Sequence, residues 1–111
     1  MKRILLASAF ALICLRGYSQ MVYTVNSQAF ADVKVYVVNS QEFADLLVYI
    51  QNSQAFVGPN NGQWYFTNSQ EFAKKKIYFV NSQEFADLKI FYVNSQAFAG
   101  WKNMDKKNLL D

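Results

Sequence analysis

The tripeptide Asn-Ser-Gln occurs six times, starting at residues 26, 39, 52, 68, 81 and 94. Successive spacings are 13, 13, 16, 13 and 13 residues, so one short unit recurs with a single three-residue insertion at its middle. A unit this short cannot bury its own apolar face, and one local solution must therefore stack on copies of itself. The repeat constrains architecture and says nothing about a reaction.

Counted from Asn as position one, the unit reads Asn-Ser-Gln-(Ala/Glu)-Phe-Ala-Asp, followed by an apolar run of six residues. That run is Val33–Val38 in the first copy and Leu88–Val93 in the fifth, rich in β-branched and aromatic residues and bounded by Asn-Ser. Such a segment reads as a strand of about 20 Å. A partial strand, Val22–Val25, precedes the first Asn.

Alternation assigns the faces. Position ten (Val22, Val35, Val48, Trp64, Ile77, Ile90) and position twelve are mostly large and apolar and should point inward. Position nine is usually Lys or Gln, with Leu47 the exception, and is expected to be exposed. Position eleven is Tyr23, Tyr36, Tyr49, Tyr65, Tyr78 or Phe91. The rings Tyr36, Tyr49, Tyr65, Tyr78 and Phe91 are the candidate ligand face, each tyrosine covering the sheet with its hydroxyl free to meet water or a partner.

Position five is Phe in all six copies, and Phe30, Phe43, Phe56, Phe72, Phe85 and Phe98 are expected to plug the core at the sheet edges. Asn26, Asn39, Asn52, Asn68, Asn81 and Asn94 mark the corners. Asn followed three residues later by Glu (Asn39/Glu42, Asn68/Glu71, Asn81/Glu84) resembles a capping box, which would make each corner a single helical turn. Side-chain-stabilised turns of Asn and Ser are the alternative. Seven connecting residues exceed a tight hairpin but fall short of a parallel crossover within one sheet, which takes about a dozen. They can cross the ~10 Å between two packed sheets, so consecutive strands are expected to change sheet.

Val57–Gly62 breaks the rhythm with turn residues and separates three repeats from three, the halves matching at an offset of 42 residues. The expectation is an all-β, two-layered domain over residues 20–103, built from two intertwined pseudo-twofold halves (21–57 and 63–102) about a turn insertion at 58–62. Residues 104–111 lose the pattern and read as a loose tail.

Residues 1–19 read as a signal peptide. Lys2 and Arg3 precede the twelve-residue apolar stretch Ile4–Leu15, and Gly17 and Ser19 offer a cleavage site before Gln20. Twelve apolar residues are too few to span a bilayer, which needs about 20. A periplasmic or secreted location follows as the expectation. Without the leader, eight lysines balance eight Asp and Glu, so the overall +3 charge argues for no nucleic-acid partner. The only cysteine, Cys14, departs as well, leaving a core held without disulfides.

The six units of the kind Ser-Gln-x-Phe-Ala-Asp-Leu-Lys-Val-Tyr-x-Val, with the glycine-containing break before Trp64-Tyr65-Phe66 and the ending Ala99-Gly100-Trp101, carry a resemblance. Over residues 21–102 the chain resembles a family of small uncharacterised bacterial β-repeat proteins with a deep seven-crossing torus knot, the septoil knot. The family corner is a shorter Ser-x-Ala-Asp, whereas here Ser stands four residues before Ala. Knots are nearly absent from proteins, so only the resemblance implies one here.

Catalytic chemistry has little to stand on. The chain contains no His and, after cleavage, no Cys, which removes the usual base, thiol and soft metal ligands. The repeated serines are corner residues without a positioned base. Asp32, Asp45 and Asp87 share a column with Asn61, Lys74 and Gly100, which argues against a calcium ladder. Lys74, Lys75 and Lys76 suit a solvated strand edge. No enzyme activity, cofactor or metal is expected. The two readings are a monomeric binding module taking a glycan, cell-wall material or a protein surface on its tyrosine face, and an assembly-forming protein stacked as cross-β.

Overall fold

The computed structural model describes residues 20–53 and 60–111. The leader, the core role of Phe56 and residues 58–59 of the turn insertion lie outside them. The strands are β1 (Met21–Thr24), β2 (Val33–Val37), β3 (Leu46–Ile50), β4 (Gln63–Phe66), β5 (Lys75–Phe79), β6 (Leu88–Tyr92) and β7 (Gly100–Trp101). All except β7 fall on the apolar runs of the repeat.

The first six close into one barrel in the order β1–β5–β2–β6–β3–β4, with β4 pairing back onto β1. Every one of these pairings is parallel; β7 alone is antiparallel, on β3. Each strand of the first half lies between two strands of the second. The halves are intertwined, as the duplication implied. The two layers, however, are opposite walls of a single closed sheet, and consecutive strands do not change sheet.

Register explains how so short a connection can join parallel strands. Val37 of β2 is level with Ile90 of β6, which is level with Leu46 of β3. Nine residue steps thus join two points that lie directly across the hydrogen-bond ladder from each other, two strand spacings or about 10 Å apart. Thr24, Ile77 and Val33 repeat the relation between β1 and β2. The usual dozen residues are needed to climb back along a strand. Here each neighbour is shifted by two residues, twelve around the barrel, and the stagger removes the climb.

At four corners the chain arches over the strand it skips and is clasped to two successive carbonyls of that strand. Val25 N–H donates to Ile77 O (2.9 Å) and Asp32 N–H to Lys76 O (2.7 Å), astride β5. Val38 and Asp45 do the same to Ile90 and Lys89 of β6, and Val80 and Asp87 to Val35 and Lys34 of β2. At three corners the aspartate adds a return bond, its carboxylate accepting from the backbone N–H of Lys76, Lys34 or Lys89 at 2.8–2.9 Å.

The corner itself is a 3-10 turn over Gln-x-Phe, as at Gln28–Phe30 and Gln83–Phe85. Its N-cap is Ser, not Asn, which places Glu one position short of a capping box. Ser27 and Ser95 cap with their hydroxyls, accepting from Ala29 and Ala97 at 3.3 Å; both belong to units with Ala at position four. The six corner asparagines are exposed, and nothing in the structure explains the choice of Asn.

The core is built of stacked rings. Because the two-residue shift keeps equivalent positions at one height, Val22, Ile77, Val35, Ile90, Val48 and Trp64 form a closed layer, all fully buried. Burying each side chain contributes roughly 1.5–3 kcal/mol. Val33, Leu46 and Leu88 at position eight line the next layer. Position twelve is the mouth: Phe66, Phe79 and Tyr92 pack against the core, while Val37 and Ile50 remain about 40% exposed (39% and 42%). Only half of that column is therefore inward and covered.

The phenylalanine column reverses the expectation. Phe30, Phe43, Phe72, Phe85 and Phe98 are 62–71% exposed. The reason is geometric. The barrel interior is filled by positions eight and ten, and the corner turn stands on the outside of the strand it crosses, so its last side chain meets solvent.

The C-terminal segment is not loose. Met104–Leu110 forms a 3-10 helix capped by Asn103, and Leu110 is fully buried in the core. Gln20, itself buried, donates from Nε2 to Leu110 O at 3.0 Å. Asn60 Nδ2 reaches Lys107 O and Trp101 Nε1 reaches Asn60 Oδ1, at 2.8 and 3.0 Å. Position eight is Gly62 in β4's register, where a Cβ would collide with Leu47 O and sit 2.7 Å from Gly100 N; its φ of +92° also requires glycine.

Candidate binding face

Positions nine and eleven point out of the barrel, and the two-residue shift brings them side by side on neighbouring strands. Tyr23 is in register with Lys76, Tyr78 with Lys34 and Tyr36 with Lys89. The belt continues as Phe91 with Leu47, Tyr49 with Gln63 and Tyr65 with Met21. All six rings and their neighbours are half-buried. The expected aromatic face is therefore a continuous belt around the barrel, and Leu47 falls beside the one ring of the column that lacks a hydroxyl.

The belt has two unlike sides. Across β1, β5, β2 and β6 every ring has a lysine neighbour. Across β6, β3, β4 and β1 none has. The ammonium groups of Lys34, Lys76 and Lys89 form no ion pair among the described residues. Asp32, Asp45 and Asp87 stand next to them, yet their carboxylates are taken up by backbone N–H groups of the same lysines. A fixed carboxylate bonded this way secures the corner and leaves the ammonium free to reach outward.

On the charged side, a surface groove of about 430 Å³ opens between two corners, lined by Tyr23, Asn26, Phe30, Gln70 and Lys76. An aromatic face, amide groups and one cation line a single depression. On the uncharged side the corresponding place is filled: Gln51 Nε2 donates to Gln63 Oε1 (2.6 Å) and to Gln96 Oε1 (3.0 Å). Nearby, Lys102 Nζ is spent on Gln41 O at 2.7 Å.

Two sequence expectations change here. The corner phenylalanines, expected in the core, are solvent-facing rings, and Phe30 lines the groove. Lys74, Lys75 and Lys76 do not guard a sheet edge, since β5 is paired on both sides. The pairing of position nine with position eleven of the next strand was invisible without the stagger. The matched exceptions Leu47 and Phe91 were its one trace in the sequence. Among the described residues no group of His, Cys, Asp or Glu is placed to hold a metal, and no helix is long and apolar enough to cross a membrane.

No curated protein matches the chain. The septoil knot domain, described as a 7(1) knot, matches residues 19–102. That span takes in every strand of the barrel, both interleaved halves and all six repeats, so the chain belongs to the septoil knot domain family.

Proposed function

We propose that this chain is exported and works as a persistent monomeric binding module, holding a partner against the aromatic, lysine-bearing side of its barrel without catalysing a reaction. The observation that carries this reading is the in-register pairing of Tyr23, Tyr78 and Tyr36 with three lysines that have no counter-ion among the described residues. Half-buried amphipathic rings beside cations suit recognition. Exposed phenylalanines at the corners enlarge the apolar contact. Closure of the barrel supports the monomer over a stacked fibre, because no long strand edge stays free among the described residues.

Export rests on the Lys2-Arg3, apolar and Gly17-x-Ser19 pattern. The N-terminus of the native protein, read by mass spectrometry, should be Gln20 or a residue within two of it. An intact Met1 in a membrane fraction would refute it. We also read the interleaved halves as threaded into the seven-crossing knot. Strands clasped by corners of the opposite half must then separate together, giving slow unfolding and protease resistance without a disulfide. Equilibration in denaturant within seconds counts against the threading. Pull-down of isolated cell-wall material and glycans tests the binding role; no retention by either would remove it.

A further inference from the structure

The geometry points to a linear, carboxylate-bearing polysaccharide as the ligand, bound along three successive copies of one groove. This rests on the binding role proposed above and names its substrate class. The groove at Tyr23 and Lys76 is completed by Phe30 of its own corner and Gln70 of the corner over β1. The register places the same residue types at two further points: Tyr78 and Lys34 with Phe85, then Tyr36 and Lys89 with Phe43. Both phenylalanines are exposed to the same degree as Phe30, at 64%, 62% and 71%.

Successive copies are one strand over and two residues along. With about 4.8 Å between strands and ~6.6 Å for two residues, the step is ~8 Å and the first and third copies lie ~16 Å apart along the curved wall. A receptor that repeats at a constant step fits a ligand that repeats. Each unit offers a ring for the apolar face of a sugar, amides for its hydroxyls and one cation for a carboxylate. The fourth place ends the track, since Leu47 and Phe91 replace Lys and Tyr.

The chemistry favours spaced carboxylates over a polyphosphate. Residues 20–111 contain no arginine, and their eight lysines are balanced by eight acidic residues. Glu42, Glu71 and Glu84 stand exposed on the corners and would repel a densely charged nucleic-acid backbone.

The test is calorimetry on protein produced from the full-length sequence, with oligogalacturonate as the probe. Neutral oligogalactan and a thymidine oligonucleotide are the comparators. Oligogalacturonate long enough to span ~16 Å should bind about 100-fold more tightly than the monosaccharide. The K34Q/K76Q/K89Q variant should lose roughly tenfold in affinity at unchanged thermal stability. Lys→Gln removes the charge and keeps the two methylenes nearest the sheet, and the thermal melt of the variant checks that the barrel is intact. Leu47→Lys should extend the track and tighten binding of longer oligomers.

Equal binding of the neutral galactan, insensitive to the lysine changes, would overturn the carboxylate assignment and leave the binding face standing. Preference for the oligonucleotide would overturn the polysaccharide assignment. If no probe binds, the inference fails; if cell-wall material is not retained either, the binding role fails with it.

Discussion

Leu47 and Phe91 lie side by side in register on the parallel strands β3 and β6. Leu47, like Met21, replaces the usual Lys or Gln of its column, and Phe91 is the one ring of its column without a hydroxyl. The two exceptions are a single feature. An apolar ring beside an apolar side chain hides surface that a tyrosine and lysine would hydrate. In a double-mutant cycle, Leu47→Ala and Phe91→Ala should couple by about 0.5–1 kcal/mol. Additive effects in denaturant titrations would show that the pair does not act as one.

Inner rings and outer corners should respond differently to truncation. Ile90, fully buried in the six-residue ring, should cost roughly 2–5 kcal/mol on replacement by Ala. Phe85→Ala, on a side chain 64% exposed, should stay within about 0.5–1 kcal/mol of neutral. Chemical denaturation of the two variants decides the matter, and comparable losses would contradict the outward placement of the corner ring.

Leu110 connects the end of the chain to the core. Leu110→Ala should cost roughly 2–5 kcal/mol. Removing residues 109–111 should cost at least as much, because the truncation also removes the acceptor of the Gln20 amide. Thermal melts that leave stability unchanged would mean that the C-terminal helix is not a plug.

Tyr92 is the tyrosine of position twelve, at the barrel mouth, and burial raises its hydroxyl pKa above the usual 10.0. The unfolded chain therefore releases this proton at lower pH than the native state. The contribution is intact below pH about 10 and is lost as pH rises through the folded value. Tyr92→Phe should flatten the decline of stability above pH about 10, measured by urea titration at several alkaline pH values. An unaltered alkaline slope would count against burial of the hydroxyl.

A single helical turn at each corner, one of two readings, and the inward face of position ten could be read from the sequence because each depends on residues close in the chain. The cap, assigned to Asn, is Ser. Val35 and Ile90 are inward because side chains alternate along a strand, whatever lies beside it. Phe85 could not be placed that way. Its ring belongs to a corner crossing β2, and the crossing exists only once β2 has a neighbour on each side. Asp87 looked like one member of an irregular acidic column, and its role appeared only with Lys34 opposite.

The amino-acid sequence by itself determined the strand-forming runs, their buried position ten, the duplication into interleaving halves and the family. Those follow from local periodicity and repetition. Tertiary structure decided the parallel order of strands, the two-residue stagger that makes short corners sufficient, the outward turn of the phenylalanines and the docking of Leu110. Each depends on barrel closure, a nonlocal condition: strand number, shear and tilt must agree before any residue acquires its neighbour across the sheet.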